Sequence, residues 1–317
     1  MKNVFFTVLC IMAMLVGCQQ AEEIQSNSEE LQMKVEASIG KTKAVASRYA
    51  GDAPNEVAFT DGDAIGLSVN GKGIVKWTTS DGTNWAPEGD DIHWENKTEE
   101  HEFCAFYPFV EEASLASVKM PDLTKQKGEM SELGTYDFLT ASMVAAYEDD
   151  GVVSLEFEHE LALITIKLKN EGDLVSSTIN QITIAGDDIV TPGTYSLSDS
   201  DLSLSTDDDK KENSLDVTLN ESFPSDGKTY YFVVNPETEV LSEVSLTITY
   251  KDKNNKTHTA TLAGLGDSAA KFECGKEYSY ALKVQSGALV ISGNSINVWE
   301  SGVVMNDIVI NGVPQNN

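Results

Sequence analysis

The chain has 317 residues and a formal net charge of −29, from 51 acidic and 22 basic residues. This excess of negative charge excludes nucleic-acid binding through a basic face, because affinity for phosphate comes largely from Lys and Arg. The length allows one large or two ordinary domains.

The N-terminal residues have the composition of an export signal. Lys2 precedes an apolar run, Val4 to Val16, that is shorter than the about 20 residues a membrane-spanning helix needs. The run closes on "LVGC", which resembles a bacterial lipobox, where the cysteine becomes the lipidated first residue of the mature chain. We expect residues 1–17 to be a lipoprotein signal peptide and Cys18 to be the lipid site that tethers the chain to the outer membrane. An ordinary signal peptide with an incidental cysteine is the alternative.

A short segment after a polar, acidic tether alternates between apolar and polar residues. Its apolar members are Met33, Val35, Ala37 and Ile39. Alternation of this kind predicts a half-buried β-strand. The small, polar loop that follows contains Arg48, the only arginine in the sequence.

From Val57 onward, nearly every segment is predicted to be a strand bounded by turn residues. "AIGLSV" and "GIVKWTT" flank a turn sequence that is typical of a hairpin. In "VVSLEFEHELALITIKLK", the apolar residues change from odd to even positions. We expect a bulge or bend near Leu163, because a one-residue shift moves side chains to the opposite face.

The polar segment "KNEGDLVSS" interrupts this pattern and is the predicted domain boundary. Beyond it, "YYFVV" is apolar on both faces and is predicted to be a central strand, and "EVSLTITYKDKNNKTHTATLAGL" is predicted to be a hairpin. No segment predicts a helix of any length. The segments divide into an N-terminal β-sandwich domain, 49–170, and a C-terminal β-sandwich domain, 171–317.

The sequence contains no motif for catalysis, for a metal or for a cofactor, so we expect a protein that is not an enzyme. None of the four histidines has a ligand spacing, and His159 is expected to be a core or domain-interface residue. Cys104 and Cys274 are expected to be buried free thiols, although a disulfide is open to an exported chain. Trp77 and Trp299 are expected in the core, whereas Trp85 is the one candidate for an exposed aromatic that stacks on a sugar.

The order of several short segments resembles the fimbrillin family of Bacteroidota, the lipoprotein precursors of type V pili, in its Mfa-like branch. Besides the lipobox and the first strand, the resemblance rests on "VAFTDGDAIGLSV", "HEFCAFYP", "LEFEHELALITIKL", "YYFVVNP" and "ISGNSINVWESG". These segments span nearly the whole chain. Each segment is too degenerate to indicate the family by itself, but all of them in this order are specific.

This resemblance implies two transthyretin-like β-sandwich domains and a role in a fimbrium at the cell surface. Residues 18–48 would then be a lipidated leader whose first strand is removed when an extracellular Arg-specific protease cuts between Arg48 and Tyr49. The open groove would accept a C-terminal strand of another subunit. In this chain that donor strand would present Val304, Ile308 and Ile310.

Partners implied by the resemblance are other pilus subunits, the outer membrane through the lipid of the precursor, and a host or bacterial surface ligand. Three other functions remain open. A pilus anchor would keep its lipid and its first strand. A surface lipoprotein that binds glycans would expose aromatic side chains at loop tips, and a secreted hydrolase would need a catalytic motif.

Overall fold

The computed structural model of the chain describes residues 31–40, 58–148 and 150–299. The N-terminal strands are β1 (Lys34–Ile39), β2 (Ala64–Val69), β3 (Ile74–Thr79), β4 (Asn84–Pro87), β5 (His101–Tyr107), β6 (Val118–Lys119), β7 (Leu139–Ala145) and β8 (Val152–His159). The later strands are β9 (Ala162–Gly172), β10 (Thr178–Ala185), β11 (Gly193–Ser196), β12 (Asp201–Leu204), β13 (Ser214–Ser222), β14 (Lys228–Val234), β15 (Ser245–Lys251), β16 (Thr257–Ala263), β17 (Lys276–Gln285) and β18 (Ala288–Val298).

Helical structure is scarce in the described residues, as the sequence predicts. The α-helix α1 (Leu133–Tyr136) is a single turn, and short 3-10 helices occur at Leu123–Lys125, Met130–Glu132 and Asp208–Lys210. Within the described ranges, no helix is long and apolar enough to cross a membrane.

Seven N-terminal strands form a sheet that closes on itself in the order β1-β4-β3-β2-β5-β7-β8. β1 closes the ring, because it pairs with both β4 and β8. The predicted β2–β3 hairpin is confirmed by the pairing of Ile65 with Trp77. Its turn contains Asn70 and Gly71 at φ 50° and 67°, a left-handed conformation that these two residue types tolerate best.

The change of apolar phase after β8 marks a transfer between sheets. β8 ends at His159, and β9 begins at Ala162 and pairs with β14 and β17 instead of the N-terminal strands. A strand that leaves one sheet for another can turn its apolar residues to a new neighbour. The division into domains at residue 170 stays a prediction, but the exchange of strand partners occurs before β9 rather than after it.

The later strands form two four-stranded sheets, ordered β13-β10-β15-β16 and β14-β9-β17-β18, and β6 joins β11 and β12 in a third. Side chains of both larger sheets belong to one hydrophobic cluster, as in a β-sandwich. The hairpin predicted over 243–265 is confirmed as β15 and β16. The prediction that "YYFVV" is a central strand is wrong, because β14 lies at the edge of its sheet.

Candidate functional site

The position that β1 occupies between β4 and β8 is the candidate functional site. β1 runs parallel to β8 in a register that pairs Lys34 with Val152 and Ile39 with Phe157. On its other side, it runs antiparallel to β4. Backbone hydrogen bonds beyond the ladder hold both ends, from Met33 N to the Ile92 carbonyl at 2.8 Å and from Gly40 N to the Phe157 carbonyl at 2.9 Å.

The alternation seen in the sequence places one face of β1 in the core. Met33, Val35, Ala37 and Ile39 are 3%, 2%, 7% and 3% exposed. Their register partners on β8 are buried as well: Val153, Leu155 and Phe157. Lys34, on the opposite face, is exposed. The strand is therefore an apolar strip inserted between two others.

β8 depends on β1 for most of its pairing. Its contact with β7 is limited to two register pairs, Leu139 with His159 and Thr140 with Glu158, whereas six of its residues pair with β1. Loss of β1 would leave a row of unpaired N–H and C=O groups on β8 beside an apolar slot. Such an edge can accept another strand by main-chain hydrogen bonding.

Other residues that the sequence singled out lie outside the described ranges. These are the lipid site Cys18, the processing pair Arg48 and Tyr49, and the donor residues Val304, Ile308 and Ile310. Their roles stay predictions.

The tryptophans do not form an exposed platform. All four are buried, with Trp77, Trp85, Trp94 and Trp299 between 0% and 6% exposed. The expectation that Trp85 is exposed is wrong. Although it lies in a polar segment, that segment is the short strand β4, and Trp85 packs edge-on against Phe59 with ring centroids 5.1 Å apart.

The two described cysteines are free, as predicted, but the expectation that both are buried is wrong. Cys104 is half-buried and Cys274 is exposed. The described residues contain no group of His, Cys, Asp and Glu side chains that could hold a metal ion.

His159 lies in the core, as predicted, and joins β8 to the end of β18. Its Nδ1 is 2.9 Å from Asp137 Oδ1, and both side chains are fully buried. Its ring stacks on Trp299 with centroids 4.0 Å apart and an angle of 9° between the planes. Trp299 N also donates to the Gly275 carbonyl at 2.8 Å. Trp299, the last described residue, is therefore held in the core through both its ring and its backbone.

The "FTDGDAIG" segment has a structural role in the turn before β2. The Asp63 carboxylate accepts hydrogen bonds from Thr60 N at 2.8 Å and from the Tyr107 hydroxyl at 2.9 Å. These bonds tie the turn to the end of β5. A Cβ at Gly66 would lie 2.2 Å from the Phe106 ring. The second glycine of the segment is therefore required, because the Phe106 ring packs directly against the backbone there.

Glu160, between β8 and β9, is expected to reduce stability at neutral pH. Burial raises the pKa of its carboxyl above the usual value, although the Thr140 hydroxyl donates to it. A raised pKa in the folded state means that folding disfavours the carboxylate, so stability falls as pH rises above the unfolded-state pKa of about 4.3. Glu160→Gln should therefore raise the urea midpoint at pH 7 and leave it unchanged below about pH 4. The exposed Glu156→Gln is the control, and an equal gain at both pH values would contradict the prediction.

Comparison with known proteins agrees with the fold. The sequence profile of the family described as Fimbrillin-like matches residues 42–299. Two solved structures have similar folds. A candidate cell adhesion protein from Bacteroides uniformis has 18% identity and a TM-score of 0.58, with 84% of this chain and 98% of that chain covered. A second, from Bacteroides ovatus, has 13% identity and a TM-score of 0.61, with 85% and 98% covered.

No curated protein matches the chain significantly. The profile match nevertheless extends over most of the chain, from residue 42, shortly after β1, to the core residue Trp299. The all-β architecture of the described residues agrees with it. The chain therefore belongs to the fimbrillin-like family.

Proposed function

We propose that this chain, as a fimbrillin-like pilus or adhesin subunit, is a stalk or tip subunit of a type V pilus that assembles by strand exchange at the β1 position. The observation that carries the proposal is the pairing of β1 with β4 and β8, which closes the N-terminal sheet with the first of the described strands. Such a strand can leave without breaking the connections among the strands that follow it.

Export and processing complete the proposal. The precursor is lipidated at Cys18 and carried to the outer membrane, and an extracellular Arg-specific protease cuts between Arg48 and Tyr49. The lone arginine suits this step, because no second arginine exists at which the same protease could cut the mature subunit. The released leader carries both β1 and the lipid, so the mature subunit is no longer tethered to the membrane.

The replacement strand is proposed to come from the C-terminal segment of another subunit. Val304, Ile308 and Ile310 share one face of that segment if it is extended. In the slot, they would take the places of the apolar side chains of β1. The subunit would then serve adhesion as a structural polymer rather than as an enzyme.

Treatment of the purified precursor with an Arg-specific protease tests the proposal. We expect one cut, after Arg48, followed by polymers that resist SDS in unheated samples and run as ladders on gels. They should resist because each inserted strand adds a set of main-chain hydrogen bonds and buries apolar side chains. Mass spectrometry of the products locates the cut. Arg48→Lys keeps the charge, should resist the protease, and is the matched control.

Two outcomes would contradict the polymer proposal: a folded precursor that is not cut, or a cut chain that stays monomeric. The first outcome favours a pilus anchor, which keeps its lipid and its first strand. The glycan-binding alternative has lost its main support in the described residues, since their tryptophans are all buried.

A further inference from the structure

β14 combines an apolar sequence with a position at the edge of a sheet. Its residues Tyr230 to Val234 are all buried, and among the described strands it pairs with β9 alone. The run "TYYFVV" is rich in aromatic and β-branched residues and contains no charge, proline or glycine. Segments of this composition form intermolecular β-sheets when their edges are free.

Three outward backbone groups of β14 are nevertheless bonded by a loop of the N-terminal part. Tyr231 N donates to the Gly128 carbonyl at 3.0 Å. Val233 N donates to Gln126 Oε1 at 2.7 Å, and Gln126 Nε2 donates back to the Val233 carbonyl at 2.8 Å. Just beyond the strand, Asn235 N donates to the Ile189 carbonyl at 3.0 Å.

The Gln126 side chain takes the place of a neighbouring strand. Its amide presents an N–H and a C=O side by side, as a single residue does along the edge of an antiparallel strand, and it meets both polar groups of Val233. The side chain is 5% exposed, and a third bond from Nε2 to the Leu123 carbonyl at 2.9 Å fixes its orientation.

Gly128 allows the loop to approach this closely. Its φ is +81°, and a Cβ there would lie 3.0 Å from the Phe232 ring and 3.4 Å from the Tyr230 ring. A larger residue would be strained and would lift the loop from the strand. Residues 126–128, the edge cover, therefore depend on a glycine at one end and a glutamine at the other.

We propose that the edge cover prevents β14 from pairing with β14 of a second copy of this chain. The edge strand β13 differs from β14 in this respect, because it contains Asp216 and Glu221, and charged side chains discourage pairing between edges. Because Gln126 and Val233 are 107 residues apart in sequence, the edge is closed only when the N-terminal loop is docked on the later sheet. The proposal does not depend on strand exchange at the β1 position.

The test uses the full chain in an Arg48→Lys background, so that proteolytic assembly does not interfere. Gln126→Met keeps the size of the side chain and removes both polar groups. We expect this variant to form dimers and larger species as concentration rises, by size-exclusion chromatography with light scattering. Lys127→Met introduces the same residue at the exposed neighbouring position and should stay monomeric, like the parent.

A proline at Val233 identifies the interface. The Val233 N–H points away from β9, toward Gln126, and proline is tolerated where an edge N–H faces outward. The double variant Gln126→Met, Val233→Pro should therefore return to a monomer. Oligomers that persist in the double variant, or a folded Gln126→Met chain that stays monomeric, would overturn the proposal.

Hydrogen exchange of the unmutated chain tests the same contact without relying on a variant that folds. The amides of Tyr231 and Val233 should exchange as slowly as those of β9, because each donates to the edge cover and protection follows from such bonds. Rapid exchange at both amides of the unmutated chain would show that the edge is open and would overturn the proposal.

Discussion

A chain that begins at Tyr49, without β1, is expected to lose several kcal/mol of its free energy of unfolding. β1 contributes the buried side chains of Met33, Val35 and Ile39, and each is worth about 1.5–3 kcal/mol of hydrophobic stabilisation. The net stability of a domain is only about 5–15 kcal/mol. Urea denaturation followed by circular dichroism should therefore show an N-terminal part that unfolds at much lower urea than in the full chain.

A synthetic peptide with the sequence of residues 33–39 should restore the stability of the truncated chain. It would refill the slot, and stabilisation should grow with peptide concentration, because a ligand that binds only the folded state raises stability by mass action. A control peptide with Val35→Asp and Ile39→Asp should have no effect, because it would bury unpaired charges. A truncated chain as stable as the full one would contradict the view that β1 completes the core.

A second peptide links this experiment to assembly. If the segment 303–310 is the donor strand, a peptide of that sequence should also stabilise the truncated chain and should compete with the 33–39 peptide. Binding by the first peptide alone would leave the slot in place and contradict the assignment of the donor. The two peptides thus separate the existence of the slot from the identity of its occupant.

Local sequence patterns predicted the parts of the fold that depend on neighbouring residues. The alternation in β1 and the turn between β2 and β3 follow from side-chain periodicity and from the left-handed conformation of Asn70 and Gly71. The change of phase after β8 was visible too, but its cause was not. In the sequence, a one-residue shift in the positions of the apolar residues looks the same whether a strand bends within a sheet or crosses to another sheet.

The edge cover could not be predicted, because its contacts join residues that no local pattern relates. Gln126 lies in a polar loop, and nothing in that loop indicates that its amide meets Val233. The apolar faces of β14 therefore predict a central strand, whereas the strand lies at an edge whose backbone groups are bonded by a loop. The burial of Trp85 could not be predicted for a similar reason, because polar neighbours in the sequence do not indicate that a residue lies in a short strand with its side chain in the core.

Trp299→Ala is expected to cost about 3–5 kcal/mol, as for other large-to-small changes of a buried aromatic. The indole is 0% exposed and stacks on His159, whose Nδ1 contacts the buried Asp137 carboxylate. Removal of the indole would leave a cavity beside a buried polar pair, and any water that enters would weaken that pair. Urea denaturation of the full chain measures the loss.

Trp299→Phe and Val144→Ala are the controls for this prediction. Phenylalanine retains an aromatic face for His159, so it should cost clearly less than alanine, whereas Val144 is 61% exposed and its truncation should change little. Because Trp299 precedes the predicted donor segment, Trp299→Ala should also reduce assembly after cleavage. Without the buried indole, the backbone at residue 299 would no longer be held in place, and the position of the donor segment relative to the subunit would change. If Trp299→Ala costs no more than Val144→Ala, the stacked pair does not anchor the C-terminal segment. A large loss of stability with normal assembly would assign Trp299 to the core alone.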